Sequence, residues 1–330
     1  MTIVFDRHIP FLAEAVREAW PEVTVRPMNP EDIDAPSVRD ADVLVVRTRT
    51  KVNEALLAGS RVRLVCTATI GYDHLDTAWL ETHGIRWTAC PGCNAQAVCD
   101  YIAEALDESL YASCFERKDL SDKTIGIIGV GHVGSLVASM ARARGMRLLL
   151  NDPAKGLTDS LEQIARESDV ITFHVPLDET TYHMCDASFL SRCKPSVLLI
   201  NAARGGVVDE EALLRSGRPY VLDTWENEPR LNEEVLAHAR LASMHIAGYS
   251  LAGKLRATQM CLDAIAEAFT LTPYTLHSTP YTLHSTPYTL HPTPYTLPPD
   301  TDPGWLSRIT AQLKVHPDRF EQLRKAYPLR

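Results

Sequence analysis

Ten short apolar runs alternate with amphipathic segments along most of this chain, and that alternation leaves few folds open. TIVFD, VTVRP, VLVVRT, RLVCTATIG and IRWTA come first. TIGIIGVG, MRLLLND, DVITFHV, SVLLINA and YVLDTW follow a helical segment over about residues 95–115. Continuous apolar runs belong in parallel sheets covered on both faces, and strand–helix–strand repetition implies right-handed crossovers. Two series around one long helix therefore predict an α/β protein of two doubly wound parallel-sheet domains with a cleft between them. A length of 330 residues suits two such cores. A helix over residues 254–270 is expected to cross back and complete the first domain. The first domain is then 1–94 plus that helix, and the second is 95–253.

After residue 270 the pattern breaks into TPYTLHS, TPYTLHS, TPYTLHP and TPYTL. The seven-residue period is not a coiled coil, because Pro273, Pro280, Pro287 and Pro294 recur once per unit and a helix-interior proline costs about 3 kcal/mol. Residues 271–298 are expected to form an extended, irregular linker. Residues 299–330 regain a helical pattern but are too few to bury a core alone.

With 33 basic and 42 acidic residues the formal charge is −9, which argues against nucleic-acid or anionic-membrane partners. The amino-terminal stretch has no basic region leading into an apolar core, and no run of 18 apolar residues occurs. The eight cysteines are scattered, as expected of a cytoplasmic protein with free thiols. Cys90 and Cys93 form one CxxC pair; no second pair completes a zinc site, so no metal is expected. Buried thiols are the preferred reading, with a redox pair as the alternative.

The strongest local signal is Gly129-Val130-Gly131-His132-Val133-Gly134. An apolar strand precedes it, an amphipathic helix follows, and a second strand ends at Asp152, eighteen residues past Gly134. That is the dinucleotide fingerprint of a Rossmann domain: glycines let the backbone approach a pyrophosphate, and the acid accepts from the adenosine ribose. An acid at Asp152 disfavours the extra phosphate of NADP, so NAD is the expected cofactor; Lys155 nearby works the other way.

Ligands in such folds sit beyond the carboxyl ends of the strands. Arg204 follows the run SVLLINA, Asp223 and Glu228 follow YVLDTW, and His245 comes next. Oxidising a secondary alcohol to a ketone calls for a cation to hold the substrate, a base for the hydroxyl proton and a group tuning that base. Arg204, His245 and Glu228 are those residue types at successive strand ends.

NAARGG, LDTWENEP and HIAGY resemble the three signature regions of the D-isomer-specific 2-hydroxyacid dehydrogenases, from the amino terminus to about Ala268. More narrowly, VRTRTKVN, TATIGYDHLD and PGCNAQAV resemble the branch that oxidises 4-phospho-D-erythronate to 2-oxo-3-hydroxy-4-phosphobutanoate on a route to pyridoxal 5′-phosphate. The resemblance implies a flavodoxin-like substrate domain beside the Rossmann domain. It makes Arg204, Glu228 and His245 catalytic, with Glu228 preferred over Glu226 because it directly precedes proline. It assigns NAD contacts to Asp152, Val175, Ala202, Ala203, Arg204, Asp223 and Gly248, and substrate contacts to Thr48, Thr69 and Tyr249. Arg47 and Arg49 are candidates for the 4-phosphate. The family also implies a homodimer built through a C-terminal domain; here the repeat stands where that domain begins, and FEQLRKAYPLR resembles only an internal stretch of it. Specificity for phosphoglycerate or glyoxylate-type acids is the alternative reading, and an NAD-binding protein without turnover is a further one.

Overall fold

The computed structural model describes residues 1–110, 120–276 and 304–327, which divide into two compact units. The first holds β1 (Thr2–Asp6), β2 (Thr24–Met28), β3 (Val43–Val46), β4 (Leu64–Thr67) and β5 (Arg86–Thr88), all parallel, in the order β2-β1-β3-β4-β5. This is the flavodoxin order. Side chains alternate between two cores: Ile3, Phe5, Val43, Val45, Leu64 and Cys66 on one face, Val4, Leu44, Val46 and Val65 on the other. The first core is closed by the helix Leu251–Phe269 through Ala257, Cys261, Leu262 and Ile265. The Cys90 thiol faces Cys261 at 3.8 Å in that core, and Cys93 is buried in it as well.

The second unit carries β6 (Thr124–Ile128), β7 (Arg147–Asp152), β8 (Leu157–Thr158), β9 (Val170–Phe173), β10 (Leu198–Asn201), β11 (Tyr220–Leu222) and β12 (Leu241–Ala242). They lie in the order β12-β11-β10-β9-β6-β7-β8. All pairs are parallel except β7–β8, where two residues fold straight back on the edge. The turn Pro153–Lys155 is too short for a crossover helix, so the all-parallel expectation fails at that edge. The strand order reverses direction between β6 and β9, the place where doubly wound sheets open a ligand crevice.

The segment past the repeat belongs to this second unit. In the helix Trp305–Val315, Leu306 and Leu313 are fully buried. Glu108 on the helix Ala95–Leu110 accepts from the backbone N–H of Leu306 and Ser307 at 2.9 and 2.7 Å, capping the later helix from outside. Of the repeat, only Thr272–Leu276 is described. It packs on the first unit, with Leu276 buried and Trp20 Nε1 donating to the Thr272 carbonyl at 2.9 Å. The rest of the expected linker lies outside the described residues.

Candidate active site

The glycine loop connects β6 to the helix His132–Ala143, and its three glycines are needed for different reasons. Gly129 has φ +85°, and a Cβ there would lie 2.7 Å from the His174 backbone. A Cβ on Gly134 would come within 2.1 Å of the Gly129 carbonyl, which is how the helix packs so close to the strand. Gly131 faces open space with nothing within 4 Å, where a pyrophosphate needs the backbone bare. Asp152 ends β7, and its Oδ2 accepts from Val130 N–H at 2.9 Å, which aims the carboxylate along the loop. Lys155 donates to the Val130 carbonyl at 2.7 Å and so buttresses the same turn. His132 is exposed on the first helical turn and Val133 is half-buried beside it. Bare glycine, helix N-terminus and oriented acid together fit NAD.

Across the crevice, β9 runs into His174 and Val175. Burial pulls the His174 pKa down to about 3, so the ring is neutral. Its Nε2 lies 3.1 Å from the Thr172 hydroxyl.

Two strand-end side chains then hold the loops that carry Arg204 and His245. Asn201, ending β10, donates to the Arg204 carbonyl at 2.8 Å and accepts from Ala203 N–H at 3.1 Å, setting the Ala202–Ala203–Arg204 bend. Asp223, just past β11, is 1% exposed. Its carboxylate accepts from Ile246 and Ala247 N–H at 2.8 and 2.9 Å, and its carbonyl from His245 N–H at 2.7 Å. The Asp223 side chain thus spends itself on the His245 loop, immediately before Gly248.

His245 Nδ1 lies 2.6 Å from Glu228 Oε1. A carboxylate accepts, so Nδ1–H donates and Nε2 keeps its lone pair. Among the described residues Nε2 has no hydrogen-bond partner, and the side chains of His245 and Glu228 are 30% and 28% exposed. The other acid of WENEP is also paired: Glu226 Oε1 lies 2.7 Å from His183 Nε2 and accepts from the Tyr182 hydroxyl at 3.3 Å. Its N–H donates to the carboxylate of Glu210, whose pKa burial raises. Arg204 stands between these groups in sequence, its Nη1 donating to the Ala203 carbonyl at 2.9 Å.

In the first unit the order reversal falls between β1 and β3, and there Asp6 meets Arg47. Arg47 Nε and Nη2 bond the two Asp6 oxygens at 2.7 and 3.2 Å, and His8 approaches Asp6 from the other side at 2.9 Å. Burial alone would raise the Asp6 pKa; the Arg47 and His8 hydrogen bonds outweigh it and hold the carboxyl below its usual range. The pair leaves Arg47 Nη1 without a bond among the described residues. Thr48 and Arg49 are exposed beside it. At the end of β4 the Thr69 hydroxyl donates to the Gly71 carbonyl at 2.9 Å and sits 2.6 Å from the Thr67 hydroxyl, itself 2.9 Å from His74 Nε2. Tyr249 lies under the Lys254 ammonium, 4.0 Å from its ring centroid. Thr48, Thr69, Arg47 and Tyr249 thus belong to the first unit, and Arg204, Glu228 and His245 to the second. Asp6, Asn201 and His183 were not anticipated. An acid ending the apolar run TIVFD was the available signal for Asp6.

A crevice that fits NAD, followed by an arginine and a histidine–carboxylate pair at strand ends, defines an NAD-dependent dehydrogenase of the CH–OH group of 2-hydroxy acids. Residues 99–247 match the NAD-binding domain of the D-isomer specific 2-hydroxyacid dehydrogenases. An erythronate-4-phosphate dehydrogenase of Bacteroides fragilis is 40% identical over 100% of this chain and 97% of its own length. One of Edwardsiella ictaluri is 45% identical over 81% and 73%. The D-lactate dehydrogenase of Aquifex aeolicus, solved with NAD and lactic acid, is 25% identical with a TM-score of 0.66, covering 81% of this chain and 95% of its own. The chain belongs to the erythronate-4-phosphate dehydrogenase family.

Proposed function

We propose that this protein oxidises 4-phospho-D-erythronate at C2 to 2-oxo-3-hydroxy-4-phosphobutanoate, on a route to pyridoxal 5′-phosphate, with Arg204, Glu228 and His245 as its catalytic residues. The observation that carries the assignment is the 2.6 Å His245–Glu228 contact, which leaves Nε2 open. His245 Nε2 takes the C2 hydroxyl proton, and Glu228 stabilises the imidazolium that results. The Arg204 guanidinium grips the substrate carboxylate and C2 oxygen as a two-pronged donor. NAD would be held over the Gly129–Gly134 loop beside Asp152, where it would supply the hydride acceptor. Asp152, Val175, Ala202, Ala203 and Gly248 line its site; Asp223 serves by holding the His245 loop. Arg47, kept in place by Asp6, and Thr48 receive the terminal phosphate, while Thr69 and Tyr249 contact the carbon chain.

The test is NAD reduction by the purified full-length chain with 4-phospho-D-erythronate, D-erythronate and 3-phosphoglycerate side by side. Preferred turnover of the phosphorylated four-carbon acid is expected. Turnover of the unphosphorylated acid at equal kcat/KM would remove the role given to Arg47. Replacing Arg204 by Ala should cost about 3–5 kcal/mol in kcat/KM, since it leaves a substrate charge unpaired.

A further inference from the structure

We propose that Tyr101 and Thr310 are positioning residues for His245, so that the helix encoded beyond the repeat is part of the catalytic unit. The inference rests on the reading of His245 as the proton carrier.

It begins with the backbone of His245, whose φ is +57°. A residue with a side chain holds that left-handed conformation at a cost, so it persists where the surroundings over-determine it. Here the surroundings are a hydrogen-bond relay of one polarity. Asp223 Oδ1 accepts from the Ser243 hydroxyl at 2.6 Å as well as from Ile246 N–H. Having given its proton to a carboxylate, Ser243 can only accept from the Tyr101 hydroxyl, 2.8 Å away. Tyr101 therefore donates to Ser243, Ser243 to Asp223, and Asp223 receives the His245 loop. All three side chains are buried: Tyr101 and Ser243 are 0% exposed and Asp223 is 1%. A buried relay with every proton committed is stiff, and losing one donor leaves the next oxygen short.

The helix Trp305–Val315 closes the relay from two directions. The Trp305 ring packs edge-on against Tyr101, with centroids 6.0 Å apart. The Thr310 hydroxyl accepts from Ala242 N–H at 2.8 Å, satisfying the donor that β12 presents on its outer edge, while its own proton is shared between the Leu306 carbonyl at 2.7 Å and the Ala242 carbonyl at 3.1 Å. Ala242 is the residue before Ser243. One helix thus clamps the strand leading into the loop and backs the first donor of the relay. Neither Tyr101 nor Thr310 is among the groups assigned to NAD or substrate, so their loss is expected in kcat rather than in KM.

The experiment compares Tyr101→Phe, Thr310→Val and Thr310→Ser in the full-length chain. Three quantities are read: kcat and KM for 4-phospho-D-erythronate, the melting temperature, and the low-field proton resonance of His245 Nδ1–H recorded without substrate. Tyr101→Phe and Thr310→Val are expected to lower kcat about tenfold with KM within twofold, and to shift or broaden the His245 resonance. Thr310→Ser, which restores the hydroxyl, should recover kcat to within threefold. An unmoved His245 resonance with kcat within twofold of wild type overturns the proposal. So does a lower melting temperature with an unmoved resonance, which would make both residues structural supports only. If Tyr101→Phe failed to fold, the Thr310 pair would decide. A wild-type chain that does not oxidise the substrate would refute the proposed function alone, since the resonance still reads the positioning.

Discussion

WENEP places two glutamates two residues apart, and each faces a histidine: Glu226 meets His183 at 2.7 Å, Glu228 meets His245 at 2.6 Å. Both histidines have left-handed backbones, with φ of 50° and 57°. A close histidine–carboxylate pair on a strained backbone is therefore not a sufficient mark of catalysis. What separates the pairs is what else each group must do. Around His183 the neighbours are further protein groups: the ring stacks on Tyr182 at 4.0 Å, Asp209 stands 4.0 Å from Nδ1, beyond hydrogen-bond reach, and Glu226 also accepts from Tyr182. That cluster braces the loop over Gly206. Around His245 the far nitrogen is left open, and Glu228 Oε2 is buried with no hydrogen bond among the described residues. The buried, unbonded carboxylate oxygen is what sets the Glu228–His245 pair apart from the Glu226–His183 pair.

The largest expected effect that could break this contrast is on the histidines themselves. His245→Asn should lower kcat about a thousandfold, within the span general-base removal covers, while His183→Asn stays within about threefold. Comparable losses in steady-state kinetics would abolish the distinction. Next come the acids. Glu228→Gln should cost ten- to a hundredfold in kcat with the cofactor KM unchanged; Glu226→Gln should leave kcat within threefold and lower the melting temperature by a few degrees, as losing about 1 kcal/mol does in a chain of this size. The last test concerns stability rather than turnover, at His174, a histidine with no carboxylate partner among the described residues. Its folded pKa of about 3 lies below the ordinary 6.5, so the unfolded chain binds its proton first as pH falls. Stability should therefore drop from pH 6.5 downward by up to about 1.4 kcal/mol per pH unit, levelling off near pH 3. Urea unfolding of His174→Gln should show a shallower slope across that window; an unchanged slope would mean the ring is not held neutral by burial.

The glycine loop shows how far sequence reasoning reaches. Gly129, Gly131 and Gly134 are separated by a local spacing whose meaning depends only on the strand before and the helix after, and the backbone obeys it. Arg204, Glu228 and His245 became candidates for a similar reason: each follows an apolar run, and strand ends in a doubly wound sheet face the ligand side. The antiparallel β8 was missed because a two-residue strand has no periodicity to read. The Arg47 pair with Asp6 was missed because its partner is 41 residues away on another strand. Nor did composition or pattern tell that the helix Trp305–Val315, on the far side of a proline repeat, would bury Leu306 and Leu313 in the second unit.

By itself the sequence determined the two doubly wound sheets, the dinucleotide loop and the order in which reactive residue types reach the strand ends. All of these follow from the period of apolar residues and from what glycine and proline permit locally. The tertiary structure alone decided the pairings: Glu228 with His245 across 17 residues, Glu226 with His183 across 43, Tyr101 with Ser243 across 142. Hydrogen bonds at such separations depend on where the strand ends come to rest and on which buried donors remain unsatisfied. Local pattern carries neither quantity.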